Sequence, residues 1–155
     1  KLSMNKSVCI ALQKLNGSEL VLNTMDEYTD DERVQANACS VLKEFASIGT
    51  ETRFQLINLD AAEKVIRAMK LHPNSSATQE NACEVLHKLA LCRTYRKRMR
   101  ELGATDRIVF AMDKFTDFPK VQMGAYCALS RIANPHDGEA HRRLRRFEAK
   151  HNVLY

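Results

Sequence analysis

The sequence predicts an all-α chain, a solenoid of about three to four repeated helical units. A twelve-residue phrase, its spacing and the overall composition predict it. Residues 35–46 read QANACSVLKEFA, residues 79–90 read QENACEVLHKLA and residues 122–133 read QMGAYCALSRIA. The first two copies agree at seven of twelve positions, and the third keeps Gln122, Ala125, Leu129 and Ala133. The copies start 44 and 43 residues apart, inside the roughly 40–47-residue period of stacked helical repeats. Hydrophobic residues make up 45% of the 155 positions and charged residues 28%, a globular balance. Five Gly, three Pro and no Trp favour helices joined by short turns.

Each element has its own signal. Residues 6–15 (KSVCIALQKL) fit the repeated helix, with Cys9 and Leu12 matching Cys39 and Leu42. They are therefore read as a third helix, and the unit after them as one that lacks a short first helix. Asp26, Glu27, Asp30, Asp31 and Glu32 read as a turn and a helix N-terminus, where negative charge suits the dipole. Val34, Ala38, Val41, Leu42 and Phe45 then form one apolar helical stripe, repeated by Thr78, Ala82, Val85, Leu86 and Leu89. Val121, Ala125, Ala128, Leu129 and Ile132 repeat it again. Alanine in the first layer lets neighbouring helices approach closely.

Upstream of two copies lie second amphipathic helices at 61–71 and 105–115, where Val65, Ile66 and Met69 match Ile108, Val109 and Met112. Polar turns holding Pro73 and Pro119 follow them. Shorter first helices are expected near 51–59 and 95–102, ending at Asp60-Ala61 and Gly103-Ala104. Glycine there can adopt the left-handed conformation that turns the chain sharply. Residues 138–150 read as a further first helix and 151–155 as the start of a second. The whole of 1–155 is thus expected to be one array, with units at 17–47, 48–91 and 92–134 and partial units at 1–16 and 135–155. The start at Lys1 and the lack of polar caps at either end suggest a piece of a longer array.

Five cysteines, Cys9, Cys39, Cys83, Cys92 and Cys127, are odd in number and never spaced as CxxC. Three of them, Cys9, Cys39 and Cys83, are read as sharing one repeat position. Small buried thiols in a reducing compartment account for this, so a cytoplasmic or nuclear setting is expected. No apolar run approaches the roughly 18 residues that span a bilayer.

The order of short helix, Gly-Ala, amphipathic helix, polar turn and VQxxAxxxLxxxA resembles the armadillo repeat family. Gly103-Ala104, Val34-Gln35, Val121-Gln122 and the Ala38, Leu42, Ala46 series carry the resemblance across essentially the whole chain. HEAT repeats use two helices, whereas 95–102 and 105–115 precede a third. The resemblance implies a right-handed superhelix whose third helices line a concave groove for extended peptides. Importin-α-type members clamp a basic peptide there with a Trp and, four residues on, an Asn. Those places fall here on Ser40, Glu84 and Cys127, and on Glu44, Lys88 and Arg131. The clamp is absent.

The groove would instead present Asn37, Ser40 and Glu44, then Asn81, Glu84 and Lys88, then Gly124, Cys127 and Arg131, a row that turns from acidic to basic. The plain reading is a solvated helix face. The sharper one is a protein-binding groove in which Asn37 and Asn81 bond a peptide backbone while Lys88 and Arg131 meet an acidic segment. No small-molecule substrate is implied.

The formal charge of +5 gathers in two runs. One holds Arg93, Arg96, Lys97, Arg98 and Arg100; the other holds Arg142, Arg143, Arg145 and Arg146. Both fall on or beside first helices and could form a basic ridge for nucleic acid, anionic membrane or an acidic tail. Against that, exposed helices carry solubilising charge, and only Tyr95 and Phe147 interleave with the runs. Catalytic and metal sites find no support. Cys83 and His87 are four apart on a helix, but no further ligands group with them, and no phosphate loop or dinucleotide fingerprint occurs. The expectation is a non-enzymatic interaction scaffold without cofactors, with the basic-surface binder as the alternative.

Overall fold

The computed structural model of the chain describes residues 5–153, and among them every regular element is helical. In order these are α1 (Lys6–Lys14), α2 (Gly17–Glu27), α3 (Glu32–Ile48), α4 (Thr50–Asn58), α5 (Ala61–Leu71) and α6 (Ser76–Leu89). A 3-10 turn at Arg93–Tyr95 leads into α7 (Arg96–Glu101), followed by α8 (Ala104–Lys114), α9 (Pro119–Ile132) and α10 (Gly138–His151). Helices α3, α6 and α9 pack on one another in succession, and α2, α5 and α8 each pack on the one that follows. The core runs through them without a break: Leu42, Leu86 and Leu129 are all fully buried, as are Cys39, Cys83 and Ala125.

The invariant glutamine closes each unit. Gln35 Nε2 donates to the carbonyls of Met25 and Tyr28 at 2.9 and 2.7 Å. Gln79 repeats this toward Met69 and His72 at 3.0 and 3.1 Å, and Gln122 toward Met112 and Phe115 at 2.7 and 2.9 Å. The carbonyls of Met25, Met69 and Met112 lie in the last turn, where a helix end leaves acceptors without partners, while those of Tyr28, His72 and Phe115 also accept from the backbone of Asp31, Ser75 and Phe118. One side-chain amide thus satisfies the C-terminus of each second helix and ties it to the third.

The first and second helices meet at a left-handed joint in every unit. Asn16, Asp60 and Gly103 hold φ of 59°, 55° and 86°, and Asn152 after α10 holds 50°. This joint corrects the reading of the N-terminal segment. Residues 6–15 are not a third helix: α1 begins and ends 44 residues before α4, as α2 does before α5, and it closes on Asn16. The unit containing α3 therefore has its first helix. Cys9 and Leu12 misled because their spacing suits the buried stripe of any amphipathic helix. At the other end α10 takes the first-helix place that residues 138–150 suggested; Leu154 and Tyr155 of the expected next helix lie outside the described residues.

Helix starts follow ordinary capping rules. The Asp31 carboxylate accepts from the backbone of Arg33 and Val34, and Ser75 and Asp137 cap α6 and α10. Helix α9 has no side-chain cap and begins with Pro119 instead, which has no N–H to orphan. One part of the acidic run departs from its reading as a turn and helix start: Asp26, on α2, pairs with Lys64 and Arg67 of α5 and bridges successive units.

Two stability predictions follow from these contacts. Gln79→Leu strands the buried Met69 carbonyl and leaves that of His72 with the Ser75 N–H alone, so it should lower unfolding free energy by about 1–3 kcal/mol in urea titration, whereas exposed Gln55→Ala should stay within about 0.5 kcal/mol. Gly103→Ala meets no atom within 4 Å, so its expected loss of about 1–2 kcal/mol comes from the left-handed backbone alone. Gly49→Ala, in extended backbone and equally open space, is the control that should lose nothing.

Candidate functional site

The row read from the sequence divides in the structure. Its asparagine position on α6 points between helices. Asn81 Oδ1 accepts from Lys43 Nζ, and its Nδ2 donates to the Ala36 carbonyl, both at 3.4 Å on α3. Asn81 is thus engaged inside the array and not held out to a partner backbone, which corrects that expectation. A Cβ on Gly124, the next equivalent, would sit 3.2 Å from Glu84 Oε1 and 3.5 Å from Cys83 Cβ. Its lack of a side chain leaves room for α6 against α9. Asn37, at the same position on α3, is exposed.

Ser40 and Glu44 on α3 are half-buried. Glu44 lies 3.9 Å from Lys43 and close enough to Cys9 of α1 to push that thiol's pKa up, after burial itself. It therefore belongs to the α1–α3 junction.

Four residues do come together: Glu84 and Lys88 on α6 with Cys127 and Arg131 on α9. Lys88, Glu84 and Cys127 are half-buried and Arg131 is exposed. The Cys127 thiol is raised by burial and by Glu84, and lowered in part by Arg131 and Lys88. His87, one residue from Lys88, joins them. Its ring is held below the ordinary histidine pKa by burial, then by Arg131 and Lys88, while Glu84 and the Cys127 carbonyl pull the other way. Its Nδ1 is buried without a hydrogen-bond partner. The sequence pointed to His87 only as a neighbour of Cys83, which is fully buried with its thiol pushed up.

The basic runs are largely engaged. Arg96 Nε donates to the Ala90 carbonyl at 2.7 Å, and Arg100 Nη1 to the Ile132 carbonyl at 3.0 Å. Arg53, which lies 43 residues before Arg96, does the same for Ala46 at 3.1 Å. Lys97 and Arg98 each lie 4.0 Å from Glu101. Arg143 grips Asp113 through two bonds of 3.0 and 2.7 Å and also meets Glu139, which pairs with Arg142 as well. That pairing with Asp113 holds the Arg143 pKa above its usual value. Arg145 and Arg146 remain exposed. The two runs therefore do not make one ridge of free charge.

A cleft of about 340 Å³ opens where α8, α9 and α10 meet, lined by Met112, Gln122, Arg146, Phe147 and His151 among others. Phe147 stacks on Tyr126 at 4.4 Å and on His151 at 4.1 Å. Spacing in the sequence did not signal it, because it forms between residues 112 and 151 of different helices.

Comparison with protein-family models, curated proteins and solved structures finds no match. Among the described residues no three His, Cys, Asp or Glu side chains gather as a metal site, and no helix is long and apolar enough to cross a membrane.

His87 supplies a pH prediction. The fold resists its protonation, so as pH falls the unfolded chain takes up the proton first. Stability from this group is full above about pH 6.5 and declines below it, until the folded ring is itself protonated. His87→Gln should flatten that part of the curve when urea midpoints are measured across the range. An unchanged slope would show that other groups produce it.

Proposed function

We propose that the chain is an armadillo-type array with a right-handed superhelical course, acting as a non-catalytic scaffold that binds an acidic segment of another protein along its third helices. The observation that carries this reading is the cluster of Glu84, His87, Lys88, Cys127 and Arg131 on adjacent third helices. These side chains are half-buried or exposed, and they share one electrostatic neighbourhood. The shared letters of the phrase around them, Ala82, Cys83, Leu86 and Ala90 on α6, are fully buried. A surface that varies between copies above a core that does not is the usual arrangement of a binding face in a repeat array. Five free cysteines suit a cytoplasmic or nuclear setting for such a scaffold.

The alternative, nucleic acid or anionic membrane held by the first helices, has less behind it. Arg142 and Arg143 already face carboxylates, and Arg96 and Arg100 close helix ends. A run of backbone phosphates would need a continuous series of open cations along the first helices, and the pairing of Arg142 and Arg143 interrupts it.

Selection of peptides from a random display library, followed by affinity measurement, tests the scaffold reading. Acidic peptides should be enriched, and Lys88→Glu should weaken them about tenfold or more, the scale of a lost charge-assisted contact. Arg145→Glu with Arg146→Glu should leave them unchanged. Selected peptides that bind Lys88→Glu and Glu84→Arg as they bind the parent would sink the third-helix face. A steep loss of all binding between roughly 50 and 200 mM salt would favour the phosphate-binding alternative.

A further inference from the structure

The corner where α6 ends, α7 begins and α9 ends gathers arginines that make no ion pair among the described residues. Helix α6 runs out at Leu89, and the Ala90 carbonyl accepts from Arg96 Nε at 2.7 Å. One turn further along α7, Arg100 reaches across to the carbonyl of Ile132, the last residue of α9, at 3.0 Å. These two bonds fix both guanidinium groups between the C-terminal ends of two third helices. Arg131 immediately precedes Ile132, and Arg93 opens the 3-10 turn; both are exposed. Burial and then the positive charges of Arg131, Arg93 and Arg100 lower the pKa of Arg96.

Nearly every other cluster of bases in the molecule has an acid beside it. Lys64 and Arg67 share Asp26, Arg142 and Arg143 share Glu139, and Lys97 and Arg98 share Glu101. Among the described residues, none of Arg93, Arg96, Arg100 and Arg131 makes an ion pair. The ends of α6 and α9 supply some compensation, but a helix terminus carries only about half a charge. Each anchored guanidinium has used one of its five N–H donors. The corner therefore offers several donors, already oriented, in a field that favours a doubly charged group over a single carboxylate. A phosphorylated side chain brings about −1.5 to −2 charge and three acceptor oxygens.

We propose that Arg93, Arg96, Arg100 and Arg131 hold the phosphoryl group of a phosphorylated serine or threonine in a peptide lying along α6 and α9. The inference rests on the scaffold reading and names the chemistry of its ligand. A nucleic acid fits the corner less well. The aromatic side chain beside it, Tyr95, is half-buried, so an exposed ring for base stacking is lacking. On the next first helix Arg142 and Arg143 are already paired and Arg145 and Arg146 alone of that run remain open, so the series of cations that a second and third phosphate would follow is interrupted.

The test uses the 155-residue chain labelled with nitrogen-15, and the double variant Arg93→Glu, Arg131→Glu, whose two side chains are exposed and hold no part of the fold. Inorganic phosphate is titrated against sodium chloride at equal ionic strength while the arginine Nε–H signals are followed. Fluorescent peptide mixtures with a fixed central phosphoserine, serine or glutamate are then compared by anisotropy, with a mixed-sequence single-stranded oligonucleotide as competitor. The expected result is that phosphate shifts the Arg96 and Arg100 signals in the parent and not in the variant. The phosphoserine mixture should bind at least about tenfold tighter than the serine mixture, a preference lost in the variant. Equal binding of the phosphoserine and serine mixtures, or undiminished phosphoserine binding by the variant, overturns the proposal. An oligonucleotide that binds the corner more tightly than the phosphoserine mixture also overturns it and hands the site to nucleic acid. Failure of the scaffold reading looks different: phosphate still shifts Arg96 and Arg100, while Lys88→Glu and Glu84→Arg leave peptide binding untouched.

Discussion

Everything else in the array is positioned by the side-chain amides of Gln35, Gln79 and Gln122, the first two buried and the third half-buried. A second helix that ends against a third must bury carbonyls that have no helical partner, and an unpaired buried acceptor costs about 1–3 kcal/mol. Two carbonyls, three residues apart, face each third helix, and the second of them also accepts from a backbone N–H. A carboxamide is the side chain that answers both, because one nitrogen carries two N–H groups and no charge. Lysine would bring a charge into the interior at a heavy desolvation cost, and asparagine would be one methylene short. The orientation is fixed as well: Gln79 Oε1 has no partner, but turned about it would face two carbonyl oxygens. The bond sets the angle between second and third helices, and repetition of that angle lets α3, α6 and α9 stack.

How much of this was legible depends on which atoms do the work. The apolar stripes and the small residues of the phrase could be read directly, since side-chain periodicity is what burial selects. So could the joint at Gly103, a residue suited to positive φ, although Asn16, Asp60 and Asn152 adopt the same conformation without glycine. The glutamines were visible as letters and not as a device, because their acceptors are backbone carbonyls that every residue possesses. The same holds for Arg53, Arg96 and Arg100. In the sequence they add to a count of positive charge; in the fold each closes a helix end. Asn81 looked available because a helical wheel shows a face and not the neighbouring helix that fills it. In the α6–α9 half of the row Glu84, Lys88 and Cys127 stay half-buried and Arg131 exposed, so the face that a helical wheel shows is only partly filled by its neighbour there.

The charge at the α6–α7–α9 corner arises from a break in the repeat. Arg53 and Arg96 lie 43 residues apart, and each closes the preceding third helix at Ala46 or Ala90. The position 43 residues further on is Glu139, which cannot donate to a carbonyl and pairs instead with Arg142 and Arg143. The end of α9 is left for a donor from inside its own unit, and Arg100 reaches Ile132. Two guanidinium groups that periodicity would have placed one unit apart now stand on the same short helix. Arg93 and Arg131 add to them, and Glu139 is paired with Arg142 and Arg143 on α10. A strictly regular array would spread its cations evenly; this one concentrates them beside α6 and α9, whose Glu84, Lys88, Cys127 and Arg131 come together.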